Sequence, residues 1–72
     1  MAQQVRDVPI RDGSIRLGQF LKLADMIDSG SDAKALIADG QVSVNDEVEL
    51  RRGRQLQRGD TVTIGGQSTR VS

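Results

Sequence analysis

The chain contains neither cysteine nor histidine, and that absence constrains it more than any motif does. Its 72 residues make one domain at most. A domain of this size buries only about 60% of the surface its unfolded chain exposes, so the core is thin. Small proteins often offset a thin core with disulfides or a zinc site. Both are closed here. Stability rests on aliphatic packing, with a partner as the remaining source of support.

The same absence limits chemistry. There is no imidazole base tuned near neutrality and no thiolate nucleophile, and tyrosine and tryptophan are missing too. Acid–base work would fall on Asp, Glu or Lys, in a chain too short for a deep cleft that shifts their pKa values. The chain is therefore read as a non-enzyme, with no catalytic residue, no metal ligand and no cofactor. The opening stretch MAQQVRDVPIRD lacks the apolar run of a signal peptide, and no segment approaches a membrane span. The expectation is a cytoplasmic protein with no membrane partner and no small-molecule substrate.

Ten basic and ten acidic side chains cancel. A general polyanion binder usually carries a clear positive excess, so a nucleic-acid partner would require the charges to be segregated in space. Residues 51–59 hint at this. They hold Arg51, Arg52, Arg54 and Arg58 and no acid, while Asp46, Glu47 and Glu49 lie just upstream.

Along the chain, residues 5–10 suit a short edge strand, with Pro9 confining it to an edge. Asp12 and Gly13 signal a turn, and Ser14 is the expected N-cap of a helix starting near Ile15. Leu17, Phe20, Leu21, Ala24 and Ile27 recur at helical spacing as one apolar stripe. Asp28, Ser29 and Gly30 are expected to end that helix. Ser31 is expected to cap a second one running to about Asp39, with Ala33, Leu36 and Ile37 on one face and Gly40 left-handed just past its end. The period then changes. Residues 41–44 and 47–50 alternate about an Asn45-Asp46 turn, which reads as a hairpin with Val42, Val44, Val48 and Leu50 facing inward. Residues 51–58 are expected as an arginine-rich loop and 61–64 as a strand. Gly65-Gly66 then reads as a turn and 67–71 as a last short strand. The fold class is α+β, two short helices packed on a small, mostly antiparallel sheet.

The run from Ile15 to Asp60, IRLGQFLKLADMIDSGSDAKALIADGQVSVNDEVELRRGRQLQRGD, resembles the S-four-type RNA-binding domain, also called the alpha-L RNA-binding motif. The pattern Ser-x-Ser-x-Ala-Lys-x-Leu-Ile from Ser29, followed by Gly40-x-Val42-x-Val44-Asn45, carries most of the likeness. Arg-Leu-x-x-Phe-Leu from Arg16 and the Gly59-Asp60 pair add to it. The ending TVTIGGQSTRV is similar to the stand-alone bacterial YbcJ-like members, so the likeness spans nearly the whole chain. It implies a single domain over 1–72, with the motif core at about 15–64. Two positions depart from the family pattern: Asp46 stands where Gly usually follows Asn, and Gly18 where many relatives carry an acid.

The resemblance implies binding of structured RNA, ribosomal or tRNA-like. It also implies a face where the two helices meet the first hairpin. Arg16 matches the family's basic position at the helix start, and Lys34 sits in the Ala-Lys motif. Asn45 could donate to a phosphate or a ribose hydroxyl, or serve only its turn. Arg51, Arg52 and Arg54 are candidates on electrostatics alone, because the guanidinium fork matches phosphate geometry; the plain alternative is a solvated loop partly neutralised by Glu47 and Glu49. Arg58 and Lys22 are weaker, and Lys22 reads as plain surface. Phe20, the one aromatic residue, lies on the apolar stripe, which leaves no ring on which to stack single-stranded bases. Recognition would then rest on phosphates and shape. Two other readings stay open from the residues alone. One is a protein-interaction adaptor using the sheet or the acidic edge at Asp46, Glu47 and Glu49. The other is a ubiquitin-like carrier suggested by Gly65-Gly66, although six residues follow that pair and such carriers end in it.

Overall fold

Valine alternating with small polar residues makes strands of 42–44 and 61–64, and leucine spacing makes a helix of the segment after Arg16. The computed structural model describes residues 5–27 and 30–72. In chain order it runs β1 (Val5–Val8), β2 (Ser14–Arg16), α1 (Leu17–Leu23), α2 (Gly30–Ala38), β3 (Val42–Val44), β4 (Glu47–Val48), β5 (Gln55–Gln57), β6 (Thr61–Ile64) and β7 (Gln67–Val71). Five strands form one sheet in the order β1-β7-β6-β3-β4, and β2 pairs with β5 in a separate ribbon. Every pairing is antiparallel except β1 with β7. β1 takes the sheet edge and Pro9 follows it directly, which suits a residue with no N–H to give a ladder.

One face of the sheet holds the core. Val42, Val44, Val62 and Val71 are buried with Leu17, Phe20, Leu21, Ala24 and Ile27 of the predicted stripe, with Ala33 and Ile37 of α2, and with Leu56 of β5. The opposite face carries Ser43, Thr61, Thr63 and Arg70, as strand alternation requires. Among the described residues, no helix is long and apolar enough to cross a membrane.

Four regions depart from expectation. Ser14 does not cap a helix. It opens β2, in which Ile15 pairs with Leu56, and the helix begins at Leu17. Its cap is a distant backbone and not a side chain. The amides of Leu17 and Gly18, which have no partner within the helix, donate to the carbonyls of Arg54 and Arg52 at 2.8 and 3.0 Å.

α1 also ends earlier than the stripe suggests. Ala24 is its C-cap, and Asp25 turns left-handed at φ 59°. The Asp25 amide bonds to Lys22 O and the Met26 amide to Leu21 O, the paired closure of a Schellman ending. Ala24 and Ile27 stay buried, so the apolar spacing outlasts the helix. Of the predicted terminator, Asp28 and Ser29 lie outside the described residues, and Gly30 opens α2. Ser31 therefore sits inside α2 and not at its cap. α2 closes in the same way as α1, with Gly40 at φ 74° and the amides of Gly40 and Gln41 bonded to Ile37 O and Leu36 O.

The third correction concerns the hairpin. Val48 and Leu50 face solvent at 60% and 62% exposure, while Glu49 is buried at 6%. Turn parity explains this. Asn45 and Asp46 both adopt positive φ, 52° and 69°, the requirement of a two-residue type I′ loop. Such a loop sets Val44 opposite Glu47 and Ser43 opposite Val48. The Glu49 amide then bonds to Val42 O. Paired residues share a face, so Glu49 goes inward with Val42 and Val48 goes outward with Ser43.

Finally, the arginine-rich stretch is a loop only as far as Arg54. Gln55–Gln57 is strand β5, and Leu56 at its centre is fully buried.

Candidate nucleic-acid interface

The carbonyls of Arg52 and Arg54 cap α1, so the turn at 51–54 is fixed against the start of that helix. Gly18 allows the close approach. A β-carbon there would lie 2.9 Å from Cγ of Arg52, so the stem of Arg52 rests directly on the helix backbone. Between the helix and the turn opens a groove of about 390 Å³. Arg16, Gln19, Lys22 and Arg52 line it, over a floor of Gly18, Ala33 and Gly53. Among the described residues, no carboxylate lines it.

The surrounding partners sharpen this picture. Arg6 donates to the carbonyl of Ala24, and Arg58 donates to that of Ile10. Arg70 pairs with Asp7 at 2.8 Å. Arg51 and Arg54 both bind Glu49, at 3.1 and 2.9 Å. The remaining cations, Arg11, Arg16, Lys22, Lys34 and Arg52, engage no acid and no carbonyl among the described residues. Three of those five line the one groove. Among the described residues, five of the ten cations are paired internally and the other five are not.

Glu49 is the electrostatic centre of the turn. Hydrogen bonds from the Arg51 side chain, helped by Arg54 and the Arg51 amide and opposed by burial, hold its carboxyl at about 2, below the ordinary 4.5. It stays ionised throughout the physiological range.

The structure brings Arg16 and Arg52 to one groove, whereas Lys34 and Arg51, which the family resemblance implied would join them, do not line it. Lys34 is exposed on α2, next to the Ala33 that lines the groove. Asn45 serves its turn: its Nδ2 donates to Asp60 at 3.1 Å, and its Oδ1 accepts from the Thr61 amide at 3.0 Å. Arg51 and Arg54 are turned to Glu49. Lys22, which reads as plain surface in the sequence, lines the groove. The available signal was Gly18 four residues before it, which places a gap and a cation on one helical face. Phe20 is fully buried, as its place on the stripe implies. Among the described residues, no group of three or more His, Cys, Asp or Glu side chains could hold a metal ion.

Comparison with known proteins decides the family, because the profile of the S4 domain matches residues 8–72. The chain belongs to the S4 domain family. This S4 domain is 58% identical over 52 residues to the Bacillus subtilis protein named "Probable ribosome maturation protein RlbA", covering 72% of this chain and 73% of that one. It is 40% identical over 57 residues to the Escherichia coli protein named "Putative RNA-binding protein YbcJ", covering 79% and 81%. The solution structure of E. coli YbcJ, described as revealing an alfaL motif involved in RNA-binding, superimposes on the S4 domain with a TM-score of 0.71. That match has 32% identity and covers 99% of this chain and 91% of that one. The crystal structure of the 30S ribosomal protein S4e from Thermoplasma acidophilum matches with a TM-score of 0.64 and 25% identity. It covers 83% of this chain but only 32% of S4e, so the S4 domain here corresponds to about a third of that larger protein.

Proposed function

We propose that the chain is a non-catalytic module that binds folded RNA through its phosphates and shape. The observation that carries this reading is the groove between α1 and the 51–54 turn, where Arg16, Lys22 and Arg52 converge with no acid among the described residues that line it. Cations free of internal partners are available to neutralise phosphates, and the release of counterions condensed on the nucleic acid is the main source of phosphate-driven affinity. Lys34, exposed on α2 beside Ala33 in the chain, is a further candidate. The lack of any exposed ring favours paired or folded RNA over single strands. Relatives named for RNA binding and for ribosome maturation support an RNA ligand, and ribosomal RNA in the cytoplasm is the proposed target.

A salt titration against a folded RNA hairpin tests this. Three neutralised phosphates give a log K that falls against log salt with a slope of about −3. The adaptor reading draws on Val48 and Leu50, exposed side by side at the free edge of the sheet. It predicts no RNA affinity and protein binding that is nearly indifferent to salt. A slope near zero with the hairpin would decide against the phosphate mechanism.

A further inference from the structure

We propose that Glu49 sets the selectivity of the basic face by holding Arg51 and Arg54 out of phosphate binding. The inference rests on the RNA-binding reading above and deepens it.

The 51–54 turn sorts its arginines. Arg52 gives its carbonyl to Gly18 and its side chain to the groove. Arg54 gives its carbonyl to Leu17 and its guanidinium to Glu49. Arg51 wraps the same carboxylate with its side chain and its own amide. Glu49 thus engages two of the four arginines in the stretch that looked most suited to RNA by sequence. The turn keeps one free cation where charge counting promised three.

Stability alone does not call for a carboxylate there. The type I′ turn points residue 49 to the face that carries Val42, where an aliphatic side chain would join the core. Replacing a buried ion pair with a well-packed hydrophobic residue is often neutral or stabilising. What the carboxylate adds is control of two arginines. A turn with three unpaired arginines would attract any polyanion, and selectivity is gained as much by weakening wrong partners as by strengthening the right one. The Arg51 side chain is 76% exposed, so it lies within reach of phosphate as soon as Glu49 is neutral.

The test compares salt slopes for the wild type, Glu49→Gln and Arg54→Met on one folded RNA hairpin, with a DNA duplex of similar length as the generic polyanion. Each freed arginine that finds a phosphate steepens the slope by about 0.9. Glu49→Gln is expected to steepen it by about 1 to 2 and to narrow the preference for the hairpin over the duplex. Arg54→Met keeps the aliphatic stem, and its slope is expected to match the wild type because Arg54 makes no phosphate contact to lose. An unchanged slope in a folded Glu49→Gln overturns the proposal. So does a slope that shallows by about 1 in Arg54→Met, and this second arm decides the matter if circular dichroism finds Glu49→Gln unfolded. A wild type that does not bind the hairpin removes the RNA reading itself, and this inference with it.

Discussion

Replacing Arg16 and Arg52 together with alanine is expected to weaken binding of a folded RNA hairpin by about 3 kcal/mol, roughly a hundredfold. Hydrogen bonds to charged groups contribute about 1.5–3 kcal/mol each, and neighbouring contacts fall short of full additivity. Stability should change little. Arg16 occupies the N-cap position of α1 but makes no capping bond with its side chain, and Arg52 contributes its cap through the backbone carbonyl, which alanine retains. The control is Arg58→Ala with Arg70→Ala, which removes the same formal charge. Those side chains are bonded to Ile10 O and Asp7 and line no part of the groove. Fluorescence anisotropy titrations of both double variants, each checked for folding by circular dichroism, measure the difference. Equal losses would mean diffuse attraction to a basic surface and no defined site.

The second large effect is on folding. Phe20→Ala is expected to cost about 3–5 kcal/mol, from lost apolar transfer and the cavity left behind. Phe20 is fully buried at the centre of the cluster that joins α1 to the sheet. At about 0.05–0.15 kcal/mol per residue, a domain of this length has only about 4–11 kcal/mol in all. One substitution therefore removes a large share, and a chain without cysteine has no disulfide to compensate. Leu23→Ala on the same helix, more than half exposed, should cost under about 0.5 kcal/mol. Urea unfolding of the two variants compares them directly. A loss below about 1 kcal/mol at Phe20 would mean that the helix is not seated as described.

The apolar stripe that begins in α1 was legible in the sequence, and its burial continues past the end of the helix. Leu17, Phe20, Leu21, Ala24 and Ile27 all reached the core. The two features that shape the site were less visible, because each depends on residues distant in the chain. The start of α1 could not be placed from Ser14, since its first amides are satisfied by carbonyls more than thirty residues away. The inward turn of Glu49 ran against hydrophobicity, which argued for Val48 and Leu50. Yet a two-residue loop at Asn45-Asp46 already implied it, because that loop length sets an odd residue on one strand opposite an even one on the other. Turn chemistry and hydrophobic alternation disagreed, and the turn won at a short edge strand where little apolar area was at stake. For the candidate site, counting charge pointed to the 51–54 turn, of which Arg52 and Gly53 line the groove. Only the pairing pattern separated Arg52 from Arg51 and Arg54, and only the fold brought Lys22 beside Arg52.

The central claim is that a defined groove binds folded RNA, and mapping the bound surface by NMR tests it most directly. A uniformly labelled sample titrated with a folded RNA hairpin should show its largest shift changes in residues 16–22 and 51–53, and at Ala33 and Lys34. Ser43, Thr63 and Arg70 on the opposite face of the sheet should stay nearly still. Shifts centred on that opposite face or on Val48 and Leu50, or spread evenly over every exposed arginine, would contradict the claim.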